Sequence, residues 1–229
     1  MVRLAGAITF DFGQTLAELD YAFLVHRLEE RDLRLEETDL RAGAADAWSA
    51  YGEAKRSAAT GFAAWSSFMR SLLVSAGCPQ PALAPTVDWL WSEQPRRNLW
   101  RRPIPGMFEL AQELGQRGAR VGILSNSEGH LAELVEELGK REAFLDITDS
   151  GKLGIEKPDP RIFRHAAERL QVEVHQICHI GDSWEADVRG ALDAGCRAVY
   201  FSPEPPLQPH PDVAWTRDAR ALRTLLLGP

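Results

Sequence analysis

Between Gly106 and Ser202 the chain alternates, without a break, between helix-patterned and strand-patterned stretches. "GMFELAQELGQRG" has apolar residues three and four apart and stops at Gly118. "ARVGILSNS" is an apolar run that ends in a polar turn. "HLAELVEELGKRE" reads as a helix, "FLDITDS" as a strand, and "DPRIFRHAAERLQV" as a helix that begins at an Asp-Pro start signal. "QICHIGDS" is the next strand, "EADVRGALDAG" a helix stopped by Gly195, and "CRAVYFS" a further strand. The tail "VAWTRDARALRTLLLG" predicts one more strand and helix. Short apolar strands separated by amphipathic helices specify an α/β fold, a Rossmann-like doubly wound parallel sheet with helices on both faces.

The first strand, "AITF" at residues 7–10, stands apart from this series. From about Asp20 to Gln94 strand signals are absent, and four stretches read as helices: "YAFLVHRLEERDLRL", "DLRAGAADAWSAYGEAKRSA", "GFAAWSSFMRSLLVSAG" and "ALAPTVDWLWSE". Four helices make a small bundle, and Trp48, Trp65, Trp89 and Trp91 are expected to fill its core. Since strand one precedes the bundle and strand two follows it, the bundle is an insertion in the first crossover. The expected domains are an α/β core of residues 1–17 and 98–229 and an inserted α-helical bundle cap of residues 18–97. The cap is expected to act as a lid at the edge of the sheet.

Composition narrows the function. With 26 basic and 33 acidic side chains the formal charge is −7, the wrong sign for a nucleic-acid partner. Cys78, Cys178 and Cys196 lack metal-site or redox spacing, so reduced thiols are expected. The N-terminal residues lack the pattern of a secretory signal, and no window approaches the roughly 18 apolar residues of a membrane span. A cytoplasmic protein without membrane partners is expected, as a monomer or homodimer.

Ligands of such sheets bind at the carboxyl ends of the strands. The polar residues predicted there are Asp11, Ser125 with Asn126, and Asp182. A carboxylate at Asp11 is able to act as a nucleophile, to bind a hard cation such as Mg2+, or simply to cap a turn. Asp182 and Asp187 flank a strand-to-helix turn in which Gly181 permits close backbone approach, an oxygen-rich arrangement that suits Mg2+. Ser125 offers a hydroxyl for a phosphoryl oxygen. Lys157, in the loop "GIEKPDP", offers a point charge for phosphate.

Taken together, "DFGQTL" at Asp11, "ILSNS" at Ser125, "EKPDPRIF" at Lys157 and "GDSWEAD" at Asp182 resemble the motifs of the haloacid dehalogenase superfamily, in the order that family has them. The resemblance runs from Ala7 to about Ser202 and implies a hydrolase, most often a phosphatase, with a helical cap inserted after strand one. It implies Asp11 as the nucleophile that becomes aspartyl-phosphate. It implies Ser125 as a phosphoryl ligand, Asn126 as an aid to positioning that group, and Lys157 as the neutralising charge. Asp182 would ligate Mg2+ together with Asp11 and the carbonyl of Gly13, and Asp187 would do so through water or as a supporting partner.

At Gly13 the chain departs from the resemblance. The family's phosphatases carry a second aspartate two residues after the nucleophile, which serves as general acid and base. Its loss costs roughly 10²–10⁴-fold in proton-transfer help, least for acyl or aryl phosphates, whose leaving groups are stable unprotonated. Glu18 and His130 are candidate substitutes, and the glycine is expected to free the backbone for a turn. The expected substrate is a small phosphorylated metabolite. Alternatives are a non-catalytic member that binds a phosphometabolite or protein, a 2-haloacid dehalogenase, and a phosphonoacetaldehyde hydrolase that would use the cap's Lys55. "WRRP" at residues 100–103 reads as a linker, whose Arg101 or Arg102 is a further candidate for anion binding.

Overall fold

The structure is a computed structural model that describes residues 6–57, 59 and 61–228. The chain divides into two compact units, one built from residues up to Leu19 and from Trp100 onward, the other from Asp20–Leu99.

The larger unit is a six-stranded sheet in the order β5-β4-β1-β6-β7-β8. Its strands are β1 (Ala7–Phe10), β4 (Arg120–Ser125), β5 (Asp146–Asp149), β6 (Ile177–Gly181), β7 (Arg197–Phe201) and β8 (Ala214–Thr216). Every pairing is parallel. Successive side chains of a strand point to opposite faces, and β1 shows it. Ile8 and Phe10 join Met107, Phe108 and Leu114 of α6 (Met107–Gln116), Val135 of α7 (Leu131–Glu137) and Leu222 of α11 (Ala219–Leu227) in one core. Ala7 joins Ile162, Phe163 and Ala166 of α9 (Pro160–Arg169), together with Val188 and Ala191, on the other face. The sheet is thus covered on both sides.

Local signals set the element ends. The side chain of Asp159 accepts from Arg161 N at the start of α9, whose first turn carries a proline. Gly118 and Gly195 take φ of 91° and 88°, the left-handed conformation that stops a helix cheaply only at glycine. After Gly181 the chain forms a π-helical turn, Trp184–Arg189, that runs into α10 (Gly190–Asp193).

Two short strands differ from the sequence expectation. β2 (Ala17–Leu19) and β3 (Trp100–Pro103) pair antiparallel, with Glu18 opposite Arg102 and Leu19 opposite Trp100. "WRRP" is therefore a strand rather than a linker. Backbone pairing with a segment some eighty positions earlier stabilises it, and no local pattern reports such a partner.

The smaller unit holds five helices among the described residues, where four were expected: α1 (Tyr21–Glu29), α2 (Glu37–Ala42), α3 (Ala44–Arg56), α4 (Gly61–Ser75) and α5 (Gln80–Glu93). The stretch read as one helix from Asp39 breaks at Gly43. A Cβ there would lie 2.5 Å from the Ser75 Cβ, so close packing against the end of α4 requires glycine. The tryptophans pack within this unit. Trp48 meets Phe68 at 4.5 Å, Trp65 meets Trp91 at 5.2 Å, and the buried guanidinium of Arg27 lies 4.3 Å above Trp89. No described helix is long and apolar enough to cross a membrane.

Candidate active site

Strand register brings the predicted residues together. Phe10 pairs with Ile123 of β4 and Ile180 of β6. The next residues along, Asp11, Leu124 with Ser125, and Gly181 with Asp182, therefore lie at the same level on the carboxyl edge. Asp11 N donates to Ile180 O at 2.8 Å, which fastens the end of β1 to β6. Ligand oxygens of Asp11, Asp182 and Asp187 all lie within 4.8 Å of one another.

Lys157 reaches into this cluster and is 4% exposed. Its Nζ donates to Asp11 Oδ1 at 2.7 Å, to Asp187 Oδ1 at 2.6 Å and to Leu124 O at 2.8 Å. An ammonium has three donors, and each has a buried acceptor here. The Asn126 side chain holds the Lys157 backbone from both sides: Oδ1 accepts from Lys157 N at 2.8 Å and Nδ2 donates to Lys157 O at 2.9 Å. The Asn126 amide thus positions the lysine, at about 1 kcal/mol per hydrogen bond.

Asp187 is equally constrained. Oδ1 also receives His179 Nε2 at 3.2 Å, and Oδ2 receives Ser183 N at 2.8 Å. Gly181 makes this possible, because a Cβ there would overlap the Asp187 carboxyl group. Gly190 plays a similar part beneath the lysine loop, where a Cβ would stand 2.9 Å from Pro158 Cα.

The electrostatics are those of crowded carboxylates around one cation. Burial, followed by the charges of Asp11 and Asp187, pushes Asp182 well above the usual carboxylate range. Burial also raises Asp11, although Lys157 beside it and the Ser125 hydroxyl pull the other way. For Asp187 burial is outweighed by Lys157 and His179, and its pKa is lowered. Burial disfavours the charged form of Lys157, but the charges of Asp11 and Asp187 prevail and raise its pKa. A further cation would relieve the repulsion that raises Asp11 and Asp182.

Gly13 follows in the turn between β1 and β2. Its φ lies outside the left-handed region, and the residue that adopts that conformation is Gln14, with φ 56°. The expectation that glycine frees this turn is thus corrected. A Cβ at position 13 would meet only Trp100 Cδ1, at an ordinary 3.6 Å. The backbone does not demand glycine here, and the missing carboxylate is a chemical difference rather than a steric one.

The side chains of the suggested substitutes are exposed to solvent. Glu18 Oε1 sits 3.3 Å from Arg102 Nε, and His130 Nδ1 sits 3.9 Å from Glu133 Oε1. Arg101 pairs with Glu137 at 2.5 Å. Lys55 is an exposed residue of α3 in the helical unit. Glu128, two residues after Asn126, is pushed up to about 7 by burial, and the neighbouring charge it feels is that of Asp149.

Sequence reasoning missed His179 and Thr9. His179 is a fully buried residue of β6 whose Nδ1 lies 2.9 Å from Thr9 Oγ1. The available signal was an imidazole inside an otherwise apolar strand. The carbonyl of Leu124, a lysine ligand, leaves no trace in side-chain chemistry.

The family model described as a haloacid dehalogenase-like hydrolase matches residues 6–195. "Haloacid dehalogenase-like hydrolase domain-containing protein 3" of Bos taurus is 32% identical over 128 residues, 56% of this chain and 51% of that protein. The phosphoserine phosphatase of Thermus thermophilus is 32% identical over 140 residues, 60% of this chain and 56% of that protein. The matches thus span about half the length of these curated relatives. A crystal structure of the putative HAD-hydrolase YfnB from Bacillus subtilis, described as bound to magnesium, superposes with a TM-score of 0.76 at 23% identity. It covers 98% of this chain and 99% of its own, a likeness of fold.

Proposed function

The chain belongs to the haloacid dehalogenase-like hydrolases, and on that premise we propose that it is a Mg2+-dependent phosphohydrolase of a small phosphorylated metabolite. One observation carries this reading: Lys157 Nζ is shared between Asp11 and Asp187, within a cluster that also contains Asp182.

Asp11 is the nucleophile. Its carboxylate attacks phosphorus, the bond to the leaving oxygen breaks, and aspartyl-phosphate forms. Water then cleaves the acyl phosphate, regenerating Asp11 and releasing inorganic phosphate. Lys157 neutralises Asp11 and the oxygens gathered beside it, while the Ser125 hydroxyl holds a phosphoryl oxygen. Positioning and charge neutralisation dominate phosphoryl transfer.

The donor set fits a hard cation, since it is all oxygen and its crowded carboxylates repel one another. Asp11, Asp182 and the Gly13 carbonyl would hold it, with Asp187 beside them. Mg2+ bound there supplies positive charge for the phosphoryl oxygens.

Gly13 narrows the substrate. With no carboxylate at that position, catalysis favours leaving groups that depart without a proton, such as acyl and aryl phosphates. It also slows hydrolysis of the aspartyl intermediate. The same residue favours a second reading, a member that binds a phosphometabolite without turning it over. Assays of acetyl phosphate and p-nitrophenyl phosphate with and without Mg2+ separate the two. Metal-dependent phosphate release that Asp11→Asn abolishes is the expected result. Thermal shifts without release would favour the binding module. Halide release from a 2-haloacid without metal, or borohydride trapping of phosphonoacetaldehyde at Lys55, would replace the phosphatase reading altogether.

A further inference from the structure

The buried chain of polar groups behind the reaction centre runs through a histidine that the mechanism above does not use. Thr9 and His179 are directly paired neighbours on β1 and β6, on the sheet face covered by α9, where the His179 ring meets Phe163 edge-on at 5.4 Å. Thr9 is wholly buried and His179 is 1% exposed, so bulk solvent reaches neither polar group. Each ring nitrogen instead has one protein partner: Thr9 Oγ1 lies 2.9 Å from Nδ1, and Asp187 Oδ1 lies 3.2 Å from Nε2. An ionised carboxylate only accepts. The Nε2 position therefore carries the hydrogen, and the imidazole donates to Asp187.

Asp187 Oδ1 thus has two donors, Nε2 from behind and Lys157 Nζ in front at 2.6 Å. The Ser183 N–H on Oδ2 fixes one end of the carboxyl group but not its rotation about that contact. The His179 hydrogen bond supplies the second fixed point.

We propose that His179 is a positioning residue for the proposed hydrolysis: its Nε2–H holds Asp187 in the orientation that keeps Lys157 between Asp187 and Asp11. Thr9 orients the ring, the ring orients Asp187, and Asp187 sets where the lysine charge stands relative to the nucleophile. Misplacement of a charged group by about 1 Å costs on the order of 10²-fold in rate. The effect falls on kcat, because Lys157 acts on charge that is redistributed during transfer.

This inference rests on the phosphohydrolase reading for its kinetic arm, and a structural arm stands apart from it. His179→Leu removes both ring nitrogens. His179→Gln places an amide nitrogen near the level of Nε2, and His179→Asn places one near Nδ1. With p-nitrophenyl phosphate and saturating Mg2+, His179→Leu is expected to lower kcat by roughly 10–100-fold, with KM changed less than about threefold. His179→Gln is expected to recover most of that loss and His179→Asn little of it. Equal losses in all three variants, or no loss in His179→Leu, would overturn the proposal. In crystals grown without metal, Lys157 Nζ should move beyond about 3.5 Å from Asp187 Oδ1 in His179→Leu and stay bonded in His179→Gln. An unmoved pair in His179→Leu overturns the role of His179 whatever the activity. If the unmodified protein releases no phosphate, the phosphohydrolase reading fails and this structural arm alone decides. If His179→Leu does not fold, Thr9→Val takes its place. It should lower kcat about threefold or more, and an unchanged kcat with an unmoved imidazole would refute the relay.

Discussion

Lys157 Nζ donates to Asp11 Oδ1 at 2.7 Å, a contact between residues 146 positions apart in the chain. The pair is buried, and the same ammonium serves Asp187. The two carboxylates therefore share one lysine as a counter-charge.

Removing that lysine should expose the sharing. Lys157→Met leaves Asp11 and Asp187 facing each other without a counter-charge, and breaking a buried pair in this way costs about 3–5 kcal/mol. A clear drop in melting temperature is expected, together with loss of phosphate release. Calorimetry and the acetyl phosphate assay check both. A variant as stable as the parent would show that the charges are not mutually dependent.

Gly13→Asp restores the carboxylate that the family's phosphatases carry. The position has no left-handed φ, and a Cβ meets only Trp100 at 3.6 Å, so the change should be tolerated. The rate on alkyl phosphates should rise roughly 10²-fold or more, and the rate on acyl phosphates much less. Equal gains on the two substrate types would show that leaving-group protonation is not what the glycine removes.

Gly181→Ala tests the strand end. Its methyl group would overlap the Asp187 carboxyl group, which is locked to Lys157, His179 and Ser183 N. Asp187 must shift, and turnover should fall by roughly 10²-fold while circular dichroism still reports a folded α/β protein. Wild-type kinetics in this variant would mean that the Asp187 position is not needed for the reaction.

Glu128 gives a pH-dependent prediction. Burial raises its pKa from 4.5 to about 7. An acid whose pKa is raised on folding binds its proton more tightly in the folded state. It therefore costs stability as pH rises from 4.5 through about 7, and the full penalty remains above that. Glu128→Gln carries no such penalty. Its melting temperature should match the parent near pH 4 and exceed it by a few degrees at pH 8. A difference that does not change with pH would contradict the assignment.

Much of this was legible in the sequence because it was local. The strand–helix alternation after Gly106, the glycine stops at Gly118 and Gly195, and the Asp159-Pro160 helix start depend on residues within a turn or two. Strand ends carrying Asp11, Ser125 and Asp182 were likewise visible, since a polar residue that closes an apolar run marks a carboxyl edge. The β2–β3 pair was not legible, because Glu18 and Arg102 become neighbours only through long-range pairing. The need for glycine at Gly43 depends on Ser75, which belongs to another helix.

Residue types and their order by themselves determined a doubly wound α/β protein, with acidic and hydroxyl side chains at the strand ends. Only the tertiary structure decided what those side chains touch. It turned Asn126 onto the backbone of Lys157, assigned the left-handed conformation to Gln14 instead of Gly13, and set His179 behind Asp187. The reason is range: periodicity and turn chemistry act between near neighbours, whereas burial of a charge is acceptable only where partners from distant strands converge on it.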